Sequence, residues 1–477
     1  MIKIYATYFS FRISNGLLGL LTIYVLTRFL PPDQYGIYAL GVGAIAFFGS
    51  IFFQWICVSV SRFYSAKEIK QDELIYEASV AFVVSAATLA ALSIIASLFS
   101  VAFKNINPIF ILVVCLGAVT TGFHSLSLQL ANAEGSHYRY GLLGISRNFF
   151  SLIIVGVLSL SGWGGVISVV GYVVASMLSV AIFGLIKIRP IKTRNIEVGR
   201  KIYEYGLPLT IAYSAIMVLD LSDRFLIGWI MGPSAVAGYA AAYDFTQQSL
   251  GAIMNLFFVV NFPAVVSAWE SESKLSAKNA MLPLYSTLLL AIPLVAGVFL
   301  GWTSEISKMV FGSSVRTEAE KIIPWIAIAI TIGSIKSYFF DVALQLQRNS
   351  RVQIIITLIM ALSNVAFTVV LLKKMGTVGA AMATALSFCI GAIISWWYGR
   401  KLNLYPIRGV EALAMFATLL ITVVAIGAGS ERWGQGWMPD ILRLLQGVFA
   451  YMAMAVSTNL GGIREKLSAR LNKKSSK

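Results

Sequence analysis

Apolar runs of about twenty residues succeed one another along almost the whole chain with short polar gaps between them. At 1.5 Å of helix rise per residue, each run of about twenty is long enough to cross a hydrocarbon core about 30 Å thick. Fourteen such runs can be placed, over residues 6–29, 36–62, 75–103, 108–132, 141–161, 163–187, 205–231, 235–262, 281–301, 322–347, 351–372, 377–399, 409–428 and 438–460. Inside lipid every backbone N–H and C=O must be bonded within its own segment, so runs of this length must be helices. The expectation is an all-α polytopic membrane protein. Composition agrees, with 58% hydrophobic and only 12% charged residues and a mean hydropathy of +0.80, far from soluble usage. The first run carries Arg12, lacks a small-x-small cleavage site and continues into a second span, so it is expected to stay attached rather than act as a signal peptide. Cys57, Cys115 and Cys389 lie within spans at no metal-like spacing and read as small packing residues. Neither a metal nor a cofactor is expected.

The net charge of +16 would point to nucleic acid in a soluble chain, but here the cations sit between spans, where they decide topology. With the N-terminus placed in the cytoplasm, about 25 Lys and Arg fall on the inner side and about 7 on the outer. The bias puts both termini in the cytoplasm and leaves no charge for a nucleic-acid partner to explain. The richest inner stretch follows the sixth run, with Lys187, Arg189, Lys192, Arg194, Arg200 and Lys201. Its position divides the chain into a first lobe over 1–187, a basic linker over 188–204, a second lobe over 205–400, and two further helices with a basic tail over 401–477.

Ionisable residues inside the runs are the main pointer to function. Each would cost roughly 2.5 to 3.5 kcal/mol facing lipid at mid-helix, so they are expected to face protein or a watery cavity. Asp220, Asp223 and Arg224 lie in the seventh span, and Asp220 and Arg224 share a helix face at i, i+4. Asp244 lies about as far beyond the turn at Pro233 as Arg224 lies before it, so the two are candidates for a pair. The eighth span adds Tyr243, Gln247 and Asn255, the tenth Lys336 and Asp341, the first Arg12 and Asn15, and the second Gln54. His124 in the fourth span reads as hydrogen-bonded packing before it reads as a proton relay.

The second half repeats the first in weak, ordered echoes. Pro32, Gly36 and Tyr38 answer to Pro233, Gly238 and Tyr239; Leu128-Gln129-Leu130 answers to Leu344-Gln345-Leu346; Gly165 answers to Gly379. Six spans in each half, both starting inside, make a parallel repeat, and the last two spans are an appendix. The offset between echoes grows because an outer connection, residues 302–321, is longer than its counterpart near Lys104.

Three stretches in this order, Arg28-Phe29-Leu30-Pro31-Pro32-Asp33-Gln34-Tyr35-Gly36-Ile37-Tyr38, Asp223-Arg224-Phe225-Leu226-Ile227-Gly228 running to Gly238-Tyr239, and Asn364 before Gly376-Thr377-Val378-Gly379-Ala380-Ala381, resemble the polysaccharide transporter family of the multidrug/oligosaccharidyl-lipid/polysaccharide exporter superfamily. The resemblance implies two six-helix lobes in a V plus two C-terminal helices, with spans one, two, seven and eight lining a central cavity. It further implies a flippase of the bacterial cytoplasmic membrane that moves an undecaprenyl-pyrophosphate-linked oligosaccharide to the outer leaflet for O-antigen, capsule or exopolysaccharide synthesis. Membrane lipids, a polymerase and assembly proteins would be its partners. Arginine forks suit phosphate oxygens, and amides and tyrosines suit sugars. On that basis Arg12, Asn15, Gln54, Arg224, Tyr243, Gln247, Asn255 and Lys336 are expected to bind substrate. Asp220, Asp223, Asp244, Asp341 and His124 are expected to form a charge network open to coupling with H+ or Na+.

Two other readings fit less of the chain. A cation-coupled multidrug antiporter of the same superfamily would use the buried aspartates, but the matching motifs belong to the polysaccharide branch. A membrane glycosyltransferase or polymerase would need a sizeable outer loop with catalytic acids, and neither a nucleotide motif nor a catalytic constellation is present in the sequence.

Overall fold

The computed structural model describes residues 2–66, 68–103, 107–184, 195–271, 274–347, 350–402, 409–433, 436–465 and 468; the side chains of 2–9, 12, 101–103, 271, 274, 277, 350, 402 and 430–433 lie outside that description. All regular structure among the described residues is helical. In chain order the helices are α1 Ile2–Phe29, α2 Pro32–Gly49, α3 Trp55–Phe63, α4 Gln71–Phe103, α5 Pro108–Ala133, α6 His137–Leu160, α7 Gly165–Phe183, α8 Ile196–Met231 and α9 Pro233–Thr246. There follow α10 Ala252–Ser271, α11 Lys274–Gly301, α12 Thr303–Val310, α13 Ser313–Ile335, α14 Asp341–Leu346, α15 Ser350–Gly399, α16 Gly409–Trp433 and α17 Trp437–Ser457. Three π-helical turns, Ser50–Gln54, Gln247–Gly251 and Lys336–Phe340, join α2 to α3, α9 to α10 and α13 to α14 without interrupting the rods.

Twelve helical stretches among the described residues are long and apolar enough to cross a membrane, and Ile13–Phe29 adds a shorter apolar one. The protein is therefore a multi-pass, all-α membrane protein. One of the twelve, Arg351–Gly399, contains a reversal at Gly376, where φ 63° and ψ −149° leave the helical region and favour glycine. Gly379, just past the reversal, approaches the Leu371 carbonyl so closely that a Cβ would overlap it, and Asn364 Nδ2 donates to Thr384 Oγ1 across the two arms.

Proline and glycine set the other sharp connections. Pro32 and Pro233 each stand first in their helix, where the missing N–H costs nothing, so α1–α2 and α8–α9 turn within two residues and one residue respectively. Residues 302–321, read from the sequence as an outer connection, are instead mostly helix: α12 and the first turns of α13. The reason is amphipathicity, since α12 buries Glu305, Ile306 and Ser307, and Phe311 beyond it is fully buried. Of the basic linker, residues 188–194 lie outside the described residues, and from Ile196 the chain is already in α8. Asn195 caps that helix, accepting from the Val198 N–H at 3.4 Å and donating to Glu73 Oε2 at 2.6 Å.

The chain forms two compact units, Met1–Ala240 and Ala241–Lys477. In the first, α8 packs along α2 and α3. Small residues allow the close approach: Gly206 faces Trp55 and Ser59, and Ser59 Oγ donates to the Ile202 carbonyl at 3.1 Å. Phe53, Ile56, Cys57 and Val60 then form a dense core with Leu74, Phe82, Leu126 and Leu130. In the second unit α11 is central and carries α10, α13 and α16 around it. Here α17 is pinned by Arg443, whose Nη1 meets Glu305 at 2.8 Å and Asp440 at 3.3 Å.

Candidate functional site

The first unit buries charge on α8. Asp223 is 2% exposed and Arg224 6%, well inside an apolar rod, and Tyr239, midway along α9, donates its hydroxyl to Asp223 Oδ2 at 2.7 Å. The Gly232–Pro233 turn makes this contact possible by returning the chain within one residue of α8. Phe225 packs edge-on against Phe47 of α2, which fixes the adjoining face. Asp220, one turn earlier, is half-buried. Asn15 on α1 accepts from Asn148 Nδ2 of α6 at 3.1 Å, beside Gly144. Gln54 closes the first π-turn, half-buried and without a side-chain hydrogen bond among the described residues. His124 is buried with Nε2 3.0 Å from the Leu143 carbonyl, a contact that ties α5 to α6. The backbone of Arg12 is in α1, but its side chain lies outside the described residues.

The second unit holds the remaining candidates. Tyr243 is buried and Asp244 half-buried on α9, while Gln247 opens the second π-turn on an exposed face. Asn255 Nδ2 donates to the Tyr338 hydroxyl at 3.1 Å, which joins α10 to the third π-turn. The Tyr338 ring stacks on Phe258 at 4.8 Å, and Phe258 stacks on Phe262 at 4.6 Å. Lys336 and Asp341, 7% and 6% exposed, form an ion pair with Nζ 2.6 Å from Oδ2. These two residues are five apart, a spacing that an α-helix does not align; the π-turn between them does. Asp341 Oδ1 is buried without a hydrogen-bond partner among the described residues.

Gln54, Gln247 and Lys336 therefore each stand in a π-turn, which periodicity based on 3.6 residues cannot reveal. Asn148, Tyr338, Phe258 and Phe262 were not singled out from the sequence. Tyr338 had a signal, since it falls inside the polar stretch from Ser334 to Asp341; Asn148 had none, because a lone amide in mid-helix forms no polar stripe.

The profile of the family described as "Polysaccharide biosynthesis protein" matches residues 5–269, more than half of the chain. The chain belongs to that family. Among its relatives, the putative O-antigen transporter of Shigella flexneri is 21% identical over 287 residues, covering 58% of this chain and 67% of the relative. The probable low-salt glycan biosynthesis flippase Agl15 of Haloferax volcanii is 25% identical over 235 residues, 47% of each chain. The uncharacterized membrane protein MJ1068 of Methanocaldococcus jannaschii is 24% identical over 294 residues, 60% of this chain and 55% of the relative. The chain thus matches about half to two thirds of the length of these relatives. Among solved structures, the lipid II flippase MurJ in an inward closed conformation superposes with a TM-score of 0.75 at 15% identity, over 96% of this chain and 99% of that one. An inward-facing multidrug resistance MATE family transporter of the MOP superfamily gives 0.65 at 13% identity, over 83% and 98%. The polysaccharide biosynthesis family member described here has the fold of that superfamily. Its named relatives of stated activity are transporters and flippases.

Proposed function

We propose that this protein is a flippase that moves a lipid-linked oligosaccharide, carried on undecaprenyl pyrophosphate, from the inner to the outer leaflet of a bacterial cytoplasmic membrane by alternating access, in the synthesis of O-antigen, capsule or exopolysaccharide. The observation that carries the reading is the burial of Arg224 beside Asp223 in a member of the polysaccharide biosynthesis family. A passive anchor has no use for buried charge, whereas a carrier of an anionic, sugar-rich head needs donors for phosphate and amides for hydroxyls. Arg224 and Lys336 supply the cations, and Gln54, Asn15, Gln247, Tyr243 and Asn255 the neutral donors and acceptors. Arg12 adds a cation near the cytoplasmic start of the first span, about 9 Å in by helix rise, where a phosphate would enter. Asp220, Asp223, Asp244 and Asp341 are the groups through which H+ or Na+ would couple, and both termini lie in the cytoplasm.

The test is a deletion strain. Lipid-linked glycan should accumulate in the inner leaflet and disappear on complementation with the intact gene. Normal export of glycan in the deletion strain, with lost resistance to cationic drugs, would instead assign the protein to the antiporter branch.

A further inference from the structure

We propose that the hairpin made by the two arms of α15 binds one anionic phospholipid from the bilayer, at a groove distinct from the residues assigned to the transported substrate. The groove encloses about 370 Å³ and is lined by Val352, Ile355, Ile356 and Ile359 of the first arm and by Ile393, Ile394, Trp396, Trp397 and Tyr398 of the second. Positions 352, 355, 356 and 359 form one helical stripe, so the wall is continuous over two turns. Ile355 is 55% and Ile393 64% exposed, and the lining is almost wholly apolar, as suits an acyl chain.

The open end of the hairpin gives the groove its polarity. Arg351 stands one residue before the first wall, and Arg400 and Lys401 follow the second after Gly399. The Arg400 guanidinium lies 5.1 Å from the centre of the Trp396 ring, and Lys401 Nζ lies 4.5 Å from that of Trp397 and 5.8 Å from that of Tyr398. Stacking on the rings holds the two cations at the mouth. Tryptophan and tyrosine prefer headgroup depth, and cations there attract anionic lipid, so tail and head requirements meet at one place. Three cations above an apolar slot match a negatively charged diacyl lipid better than a zwitterionic one.

Native mass spectrometry of the full-length protein, titrated with phosphatidylglycerol and with phosphatidylcholine, tests the proposal. One phosphatidylglycerol should be retained in preference to phosphatidylcholine. Arg400→Gln with Lys401→Gln should weaken it roughly thirtyfold, at about 1 kcal/mol per cation. Lys373→Gln with Lys374→Gln, at the closed end of the hairpin, should leave it unchanged. Ile359→Trp with Ile393→Trp, which fills the groove and keeps the cations, should also abolish retention, and circular dichroism would verify that each variant is folded. Equal retention of the two lipids, equal loss in the Lys373/Lys374 control, or undiminished binding in the filled variant would overturn the proposal. Tighter retention of an isoprenyl phosphate than of phosphatidylglycerol would overturn the phospholipid assignment and give the groove to the substrate's tail.

Discussion

Gly36 lies directly against the main chain of Pro233: a Cβ on residue 36 would overlap the Pro233 carbonyl oxygen. These are the two proline turns that the sequence echoes align, and in the first unit they meet each other. The contact leaves no room for any side chain, and backbone cannot yield as a flexible side chain would. Gly36→Ala should therefore lower stability by about 1 to 3 kcal/mol, read as a fall in thermal midpoint in detergent. Gly43→Ala is the matched control, because its Cβ would meet Leu221 and Phe225 at 3.7 and 3.9 Å, ordinary contact distances.

Tyr239→Phe removes the hydroxyl that donates to Asp223 and changes little else. A buried carboxylate stripped of one donor costs about 1 to 3 kcal/mol. Glycan export should fall with this variant, and Asp223→Asn, which keeps an acceptor for Tyr239 without the charge, should restore stability more than export. Unchanged export in both would remove the pair from transport.

Lys336→Met leaves Asp341 buried without its cation and should destabilise the protein by about 3 to 5 kcal/mol. Adding Asp341→Leu should recover most of that loss. Export by the double variant then separates the roles: a stable, exporting protein makes the pair structural, while a stable, inactive one makes it part of the substrate path.

Arg224→Ala should abolish export at normal expression. Arg224→Lys keeps charge but not the planar fork, so retention of export would assign the residue to charge balance and loss to bidentate phosphate contact. The readout is lipid-linked glycan in each leaflet.

Reporter fusions after Lys201 and at the C-terminus should report cytoplasm, and one near Gly312 should report the outside. A cytoplasmic signal at Gly312 would overturn the proposed orientation.

The helical runs were legible because lipid permits so few alternatives: hydrophobic length and proline placement alone located α1–α2 and α8–α9. The burial of Arg224, Lys336 and Asp341 was equally legible, since lipid exposure of charge is so costly. Partners were harder. The buried carboxylate of α8 is Asp223, and its hydroxyl donor comes from the next helix, which spacing within one helix cannot show. Lys336 with Asp341 escaped any rule based on 3.6 residues per turn, and α12 hid inside a polar connection because its burial depends on Arg443, far away in sequence.

The π-turns let a rod carry one more residue than a plain α-helix of the same phase would hold. A π-turn is in effect one surplus residue stored within a helix, so deleting one from Gln247–Gly251 would let the rod anneal into plain α-helix with its two flanking segments close to their present phase. Asn255 would still face Tyr338. The same deletion inside α6, which contains no such turn, would swing everything beyond it by about 100° around the rod axis. The rods that carry a π-turn thus hold slack in residue count where the polar candidates stand, and loss of a residue there is a shortening rather than a steering change.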